Sequence, residues 1–219
     1  MPERNGAANY DCYNALLAVY HRAGYKGYQP ITIGYGRIDQ RRNDIAKLFY
    51  ERTYRDDDLL VMLDADHTHP SDIVERFAAH TPKQGVVGAL AYRRGEPYDP
   101  LFFLRDKVKG GLFAPSDPTQ FEGKTIPCQI VSTSAISIRR WVLTELIRAG
   151  KEYPWFRYEY PTGGAQPSED MYFGHICEQV GISHYCDTSI VIPHMTYMYV
   201  DAEIQAAYMA ANPGIREAK

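Results

Sequence analysis

Apolar and polar positions along this chain predict alternating helices and strands. Apolar residues three and four apart predict helices, and short continuous apolar runs predict strands. Helices are predicted over residues 9–23, 40–52, 139–149 and 168–180, and from Pro70 and Asp201 onward. Strands are predicted over residues 31–33, 59–63, 85–90, 127–138 and 189–192. This alternation is typical of an α/β fold with a mostly parallel central sheet flanked by helices.

Local signals place the helix ends and one long irregular region. Gly24 is expected to end the first helix, while Ser168 and Gly181 are expected to cap and end the helix over 168–180. Residues 93–124 are rich in Pro, Gly and Asp without a sustained period, which predicts long surface loops. We expect residues 195–219 to form a mobile C-terminal segment that carries the last helix.

Composition narrows the class of protein. The 219 residues are expected to form a single domain, residues 1–219, around one sizeable core. A formal net charge of -3 gives no general attraction to nucleic acid, so no such partner is expected. The four cysteines form no C-x-x-C pair, and no apolar run reaches the ~18 residues of a membrane span. These features predict a cytoplasmic protein without a membrane span.

The most informative local feature is the apolar strand over residues 59–63, which is followed by Asp64-Ala65-Asp66. Because residues i and i+2 of a strand point to the same side, both carboxylates can face one ligand where the strand leaves the core. Carboxylate oxygens suit a hard divalent cation, which in turn binds phosphates. Two solvated acids at the start of a loop would give the same pattern, so the surrounding clusters decide between these alternatives.

Three further groups of residues are candidates for the same site. Glu169-Asp170 opens a predicted helix, where the exposed backbone amides also favour acids for structural reasons. His194 follows an apolar strand and a proline, a position that equally suits a packed or surface histidine. Arg42-Asn43 opens another predicted helix, where a cation is electrostatically unfavourable, and this favours a contact with an anion.

The order and spacing of these segments resemble the glycosyltransferases of the GT-A fold, especially the family-2-like enzymes and their compact phage and bacterial relatives. The resembling segments are residues 42–46, 59–70, 132–139, 154–156 and 168–194. The resemblance implies a single-domain, Rossmann-like GT-A fold. It also implies a metal-dependent hexosyltransferase, which moves a sugar from a nucleoside-diphosphate-sugar to a hydroxyl of a glycan or small molecule. Inversion is expected, and retention is the alternative, because retaining enzymes share the fold and sequence motifs do not fix the stereochemistry.

The resemblance assigns the donor side of the site. Asp66 and His194 would bind Mn²⁺ or Mg²⁺, and Asp64 would face the nucleotide ribose or the surroundings of the metal. Carboxylate oxygens suit either ion and imidazole admits Mn²⁺, while the ion stabilises the charge that builds on the leaving diphosphate. Arg42 and Asn43 would lie near the donor or acceptor.

The resemblance also assigns the acceptor side. Asp170 would be the general base that deprotonates the acceptor hydroxyl, with Glu169 orienting it or the acceptor. Trp155 would stack on a sugar ring.

Two departures from this family keep other functions open. Residues 1–8 are polar and small where the family begins with an apolar strand, so the first strand is missing or atypical here. Ser132-Thr133-Ser134-Ala135 replaces a small G-x-G segment. The alternatives are a catalytically silent nucleotide-sugar binding module and a metal-dependent hydrolase that uses His67, His69, Asp66 and His194.

Overall fold

The structure of the protein, a computed structural model, describes residues 3–34, 36–106, 108, 110–115, 117–159, 168–196 and 200–213. Its helices are α1 (Glu3–Tyr25), α2 (Ile38–Arg52), α3 (Ile73–Ala78), α4 (Arg140–Arg148), α5 (Glu169–Gln179) and α6 (Ala202–Ala211). Its strands are β1 (Leu59–Leu63), β2 (Val86–Leu90), β3 (Phe102–Arg105), β4 (Leu112–Phe113), β5 (Thr125–Cys128), β6 (Ile130–Val131), β7 (Ala135–Arg139) and β8 (His184–Val191). The predicted α/β class is confirmed.

Within the described residues, the main sheet has the strand order β1-β7-β2-β8-β5. Only β2 and β8 pair in parallel, whereas the other three pairings are antiparallel. The expectation of a mostly parallel sheet is therefore wrong. The chain leaves β2, builds a smaller sheet of order β4-β3-β6, and returns as β7 between β1 and β2 in the opposite direction. An apolar run predicts a strand but carries no information about its direction, which the connection decides.

Three strands nevertheless share one direction. β1 and β2 both run antiparallel to β7, and β8 runs parallel to β2. The carboxyl ends of β1, β2 and β8 therefore meet at the same edge of the sheet, where open α/β sheets bind ligands.

Helices cover both faces of the main sheet. The larger core packs α2, α4 and α5 on one face, and a second core packs α1 and α3 on the other. The alternation in β1 fits this arrangement, because Leu60 and Met62 join the larger core while Leu59, Val61 and Leu63 pack against the second. None of the helices among the described residues combines the length and apolar character needed to cross a membrane.

The close packing of α5 fixes the position of its first turn near the edge described above. A Cβ added at Gly174 would lie 2.6 Å from Ile130 Cγ1 of β6, so only glycine permits this approach. Ser168 caps the helix as expected, since its Oγ accepts from the Met171 amide at 3.3 Å. Asp201 caps α6 in the same way.

Four local predictions differ from the structure. Helix α1 continues past Gly24 to Tyr25, and Gly27 follows with a φ of 81°, the left-handed conformation common after a helix C-terminus. Residues 31–33 form no strand, because their apolar run finds no ladder partner in the described chain. The predicted strand over 127–138 is divided among β5, β6 and β7, and the region 93–124 contains β3, β4 and a 3-10 helix at Pro118–Phe121.

Candidate functional site

The segments that follow β1 and β8 meet above the edge of the sheet, although β7 and β2 lie between these two strands. A backbone bridge pairs His67 with His194, and the Thr68 amide donates to the Pro193 carbonyl at 3.0 Å. The Asp64 amide donates to Ser134 at 2.8 Å, which extends the β1–β7 ladder up to the first acid of the motif. Main-chain pairing thus brings two distant segments together.

The carboxylate of Asp66 lies at the centre of this meeting point. Its Oδ1 is 3.0 Å from His67 Nδ1 and its Oδ2 is 3.4 Å from His194 Nε2. Burial by itself raises the pKa of Asp66, but the hydrogen bonds from His194 and His67 outweigh that effect and hold the pKa well below its usual value. The expected convergence of Asp66 and His194, 128 positions apart, is present in the structure.

The tautomer of His194 is fixed by Tyr92, which follows β2. Its Nδ1 lies 3.0 Å from the Tyr92 carbonyl, which can only accept, so Nδ1 carries the hydrogen. The hydrogen bond from Nε2 to Asp66 therefore requires a second proton on the ring; in the neutral ring, the lone pair of Nε2 faces the carboxylate, and two acceptors oppose each other across 3.4 Å. A bound cation or a proton would relieve this opposition. Metal-binding histidines are commonly oriented by a carbonyl on their other nitrogen in this way.

His67 completes a group of three side chains that suits a metal ion. Ligand atoms of Asp66, His67 and His194 all lie within 4.8 Å of one another. The rings of His67 and His194 stack with centroids 4.0 Å apart, and His67 Nε2 is buried without a hydrogen-bond partner in the described chain. Burial lowers the pKa of His67, which favours the neutral, ligating form of the ring.

His69 is not part of this group. Its Nε2 lies 2.7 Å from the Asp64 carbonyl and donates to it. Burial lowers the pKa of His69 to about 4, so the ring is neutral and serves to hold the segment after β1. His69 is therefore removed from the set of four metal ligands that the sequence suggested for a hydrolase.

Arg42 of α2 connects the first acid of the motif with the start of α5. Its Nη2 donates to both carboxylate oxygens of Asp64, at 3.0 and 2.8 Å, and its Nη1 donates to Glu169 Oε1. Arg42 and Glu169 are 5% and 6% exposed. Burial raises the pKa of Asp64, and the charge of Arg42 partly offsets this rise. The charges of these three side chains are therefore engaged in ion pairs within the protein and are not free to bind a ligand.

Asn43 and Trp155 are also structural. Asn43 Nδ2 donates to the Phe156 carbonyl at 2.7 Å, and its Oδ1 accepts from the Phe156 amide at 3.0 Å. Trp155 is 2% exposed, and its indole donates to the Lys151 carbonyl at 3.0 Å. The expectation that Trp155 stacks on a sugar ring is wrong, because neither ring face is accessible. Both polar atoms of the Asn43 side chain bind the backbone of Phe156.

Asp170 differs from its neighbour Glu169. It lies half-buried in the first turn of α5, and it has no hydrogen bond or ion pair with the described residues. Tyr158 lies near enough for the Asp170 charge to contribute to the raised pKa of its phenol, after burial and the opposing effect of Arg42. Residues 160–167, which precede this turn, lie outside the described chain.

Sequence reasoning missed two contributors to the site. The Tyr92 carbonyl orients His194, and the guanidinium of Arg94 lies 3.1 Å from Asp66 Oδ2. Both follow β2, whose carboxyl end lies at the same edge as those of β1 and β8. The predicted strand over 85–90 was the available signal, but no residue type after it indicated a ligand.

Comparisons with known proteins give a fold and no family. No family model matches this chain, and no curated protein matches it. Seventeen solved chains have a similar structure, among them the crystal structure of A197 from STIV. That similarity has a TM-score of 0.55 at 16% sequence identity, over 85% of this chain and 84% of that chain. At such low identity, the likeness concerns the fold alone.

Proposed function

We propose that this protein is a metal-dependent glycosyltransferase that moves a sugar from a nucleoside-diphosphate-sugar to a hydroxyl acceptor. The observation that carries the proposal is the contact between Asp66 and His194, 3.4 Å apart at the carboxyl ends of two strands that are not neighbours. The sequence resemblance to GT-A enzymes predicted this pair as the metal ligands. The finer GT-A classification of the fold is part of the same proposal.

The donor set fits a divalent cation. Asp66 and His194 would hold it, and His67 is a third candidate because it offers a ligand atom within 4.8 Å of theirs. One carboxylate with imidazoles suits Mn²⁺ better than Mg²⁺, which prefers oxygen. When bound, the ion supplies positive charge for the diphosphate of the leaving nucleotide.

Asp170 is the proposed general base for the acceptor hydroxyl. It is the acid in the first turn of α5 that Arg42 leaves uncommitted, whereas Glu169 is paired and buried. Arg42 links Glu169 with Asp64, and so it fixes the start of α5 relative to the end of β1. Glu169 therefore positions Asp170 and does not itself accept the proton. A base on the acceptor side is consistent with inversion.

The test is incubation of the protein with UDP-, GDP- and dTDP-sugars in the presence of Mn²⁺. We expect release of the nucleoside diphosphate from one donor, with the Asp66→Ala variant inactive and still folded. Binding of a donor without turnover would instead identify a nucleotide-sugar binding module. Neither binding nor turnover with any donor would overturn the proposal.

A metal-dependent hydrolase is a second candidate, because two histidines and one carboxylate also form the ligand set of catalytic zinc sites. Hydrolysis of 4-nitrophenyl esters or phosphates with Zn²⁺, independent of any nucleotide-sugar, would favour this function. The same variant, Asp66→Ala, would abolish it. The substrate therefore distinguishes the two candidates, since both use the same metal ligands.

A further inference from the structure

Arg94 approaches Asp66 from the side that faces His194. Its Nη2 lies 3.1 Å from Asp66 Oδ2, and His194 Nε2 lies 3.4 Å from the same oxygen. The guanidinium of Arg94 is therefore the counter-ion of Asp66 Oδ2. A cation bound by both Asp66 and His194 would use this same oxygen. A divalent cation and a guanidinium repel each other at such range, so the two compete for this oxygen.

The backbone that carries Arg94 is held in place. A bridge between Tyr92 and Pro100 closes the turn, and Tyr98 within it has a φ of 58°, which an aromatic residue keeps only where its surroundings impose it. The ring of Tyr98 packs on Tyr208 of α6 with centroids 5.4 Å apart. The side chain of Arg94 is by contrast 57% exposed. A fixed backbone with an exposed, long side chain allows the guanidinium to change partners locally.

A diphosphate supplies the second partner. A divalent cation neutralises only part of the charge of a bound diphosphate, and arginine binds phosphate oxygens through two parallel hydrogen bonds. We propose that Arg94 exchanges partners: it pairs with Asp66 before the cation binds, and it pairs with the diphosphate afterwards. This inference rests on the proposed function, since it requires a cation at Asp66.

The exchange predicts opposite effects of one substitution on two equilibria. In Arg94→Gln, Mn²⁺ alone should bind about two- to fivefold more tightly, because an exposed competing ion pair is removed. Inorganic pyrophosphate should bind the Mn²⁺-loaded variant about tenfold more weakly, because a charged hydrogen bond is lost. Both dissociation constants are measured by titration calorimetry on the full chain.

Arg93→Gln is the matched control. It removes the same charge from an adjacent, exposed position, and it should change neither constant by more than about twofold. Equal effects of the two substitutions on the dissociation constants would show that any positive charge in this segment has the same influence, and this would overturn the specific role of Arg94. Mn²⁺ binding that Arg94→Gln leaves unaltered would overturn it as well. Absence of Mn²⁺ binding in wild type and variant alike would overturn the proposed metal site, and the exchange with it.

Discussion

Arg42 and Glu169, which are 127 positions apart in the chain, form a buried ion pair in which Arg42 Nη1 donates to Glu169 Oε1. The same guanidinium binds Asp64 through Nη2, so one cation pairs with two carboxylates. This relationship joins the two halves of the candidate site. It also explains why the first acid of the motif is part of the protein's own framework.

Removing this arginine should destabilise the fold. Arg42→Met leaves the buried Glu169 and the half-buried Asp64 without their partner, and breaking a buried pair in this way costs about 3–5 kcal/mol. Urea denaturation measures the loss in unfolding free energy. Arg41→Met is the control, because Arg41 makes a solvent-exposed hydrogen bond to the Gly34 carbonyl. A loss below about 1 kcal/mol in Arg42→Met would show that the pair does not hold the site together.

Asp170 and Glu169 should differ in what their substitution removes. Asp170→Asn should lower turnover by about 10²-fold or more with donor affinity little changed, since general base catalysis contributes 10² to 10⁴. Glu169→Gln should mainly lower stability, because it weakens the pair with Arg42. Steady-state kinetics and denaturation on both variants separate these effects. Near-normal turnover in Asp170→Asn together with an inactive, folded Glu169→Gln would reverse the assignment.

His67 and His69 provide a matched pair for testing the third metal ligand. His67→Gln should weaken Mn²⁺ binding by at least about tenfold, the loss typical of removing groups that orient or complete a metal site. His69→Gln should leave Mn²⁺ affinity within about twofold, because its ring is engaged with the Asp64 carbonyl. Paramagnetic resonance of free Mn²⁺ measures both affinities. Equal weakening in the two variants would remove His67 from the site.

Stability should fall in mild acid because of His184. This ring is fully buried against Phe173, neither nitrogen has a partner in the described chain, and burial lowers its pKa to about 3. Below its ordinary pKa of about 6.5, the unfolded state binds a proton that the folded state does not. The contribution of His184 to the unfolding free energy is therefore fully present above pH ~6.5. Between pH ~6.5 and pH ~3, the unfolding free energy declines by up to about 1.4 kcal/mol per pH unit.

Substitution of His184 by Phe tests whether this residue causes the loss of stability in acid. We expect a flatter dependence of unfolding free energy on pH between ~7 and ~4 in chelator-containing buffer, with some slope remaining because the pKa of His69 is also lowered, to about 4. Denaturant titrations at several pH values give the slope. An unchanged slope in a folded His184→Phe variant would assign the acid sensitivity to other groups.

Local chemistry in the sequence determined much of the framework. The apolar run of β1, the cap Ser168 and the cap Asp201 each depend on residues within one turn or strand, so their elements were predicted within a few residues. The same locality placed Asp66 and His194 at strand ends. Asp66 and His194 converge because β1 and β8 run in the same direction in the sheet.

Tertiary structure alone decided which of the predicted groups are available to a ligand. Arg42 and Trp155 have residue types suited to anions and sugars, but long-range packing commits one to Asp64 and Glu169 and buries the other. The direction of β7 and the position of Arg94 beside Asp66 likewise depend on how distant segments return to the sheet. Periodicity and capping report interactions within a few residues, whereas burial and partner choice are set by contacts between segments far apart in the chain.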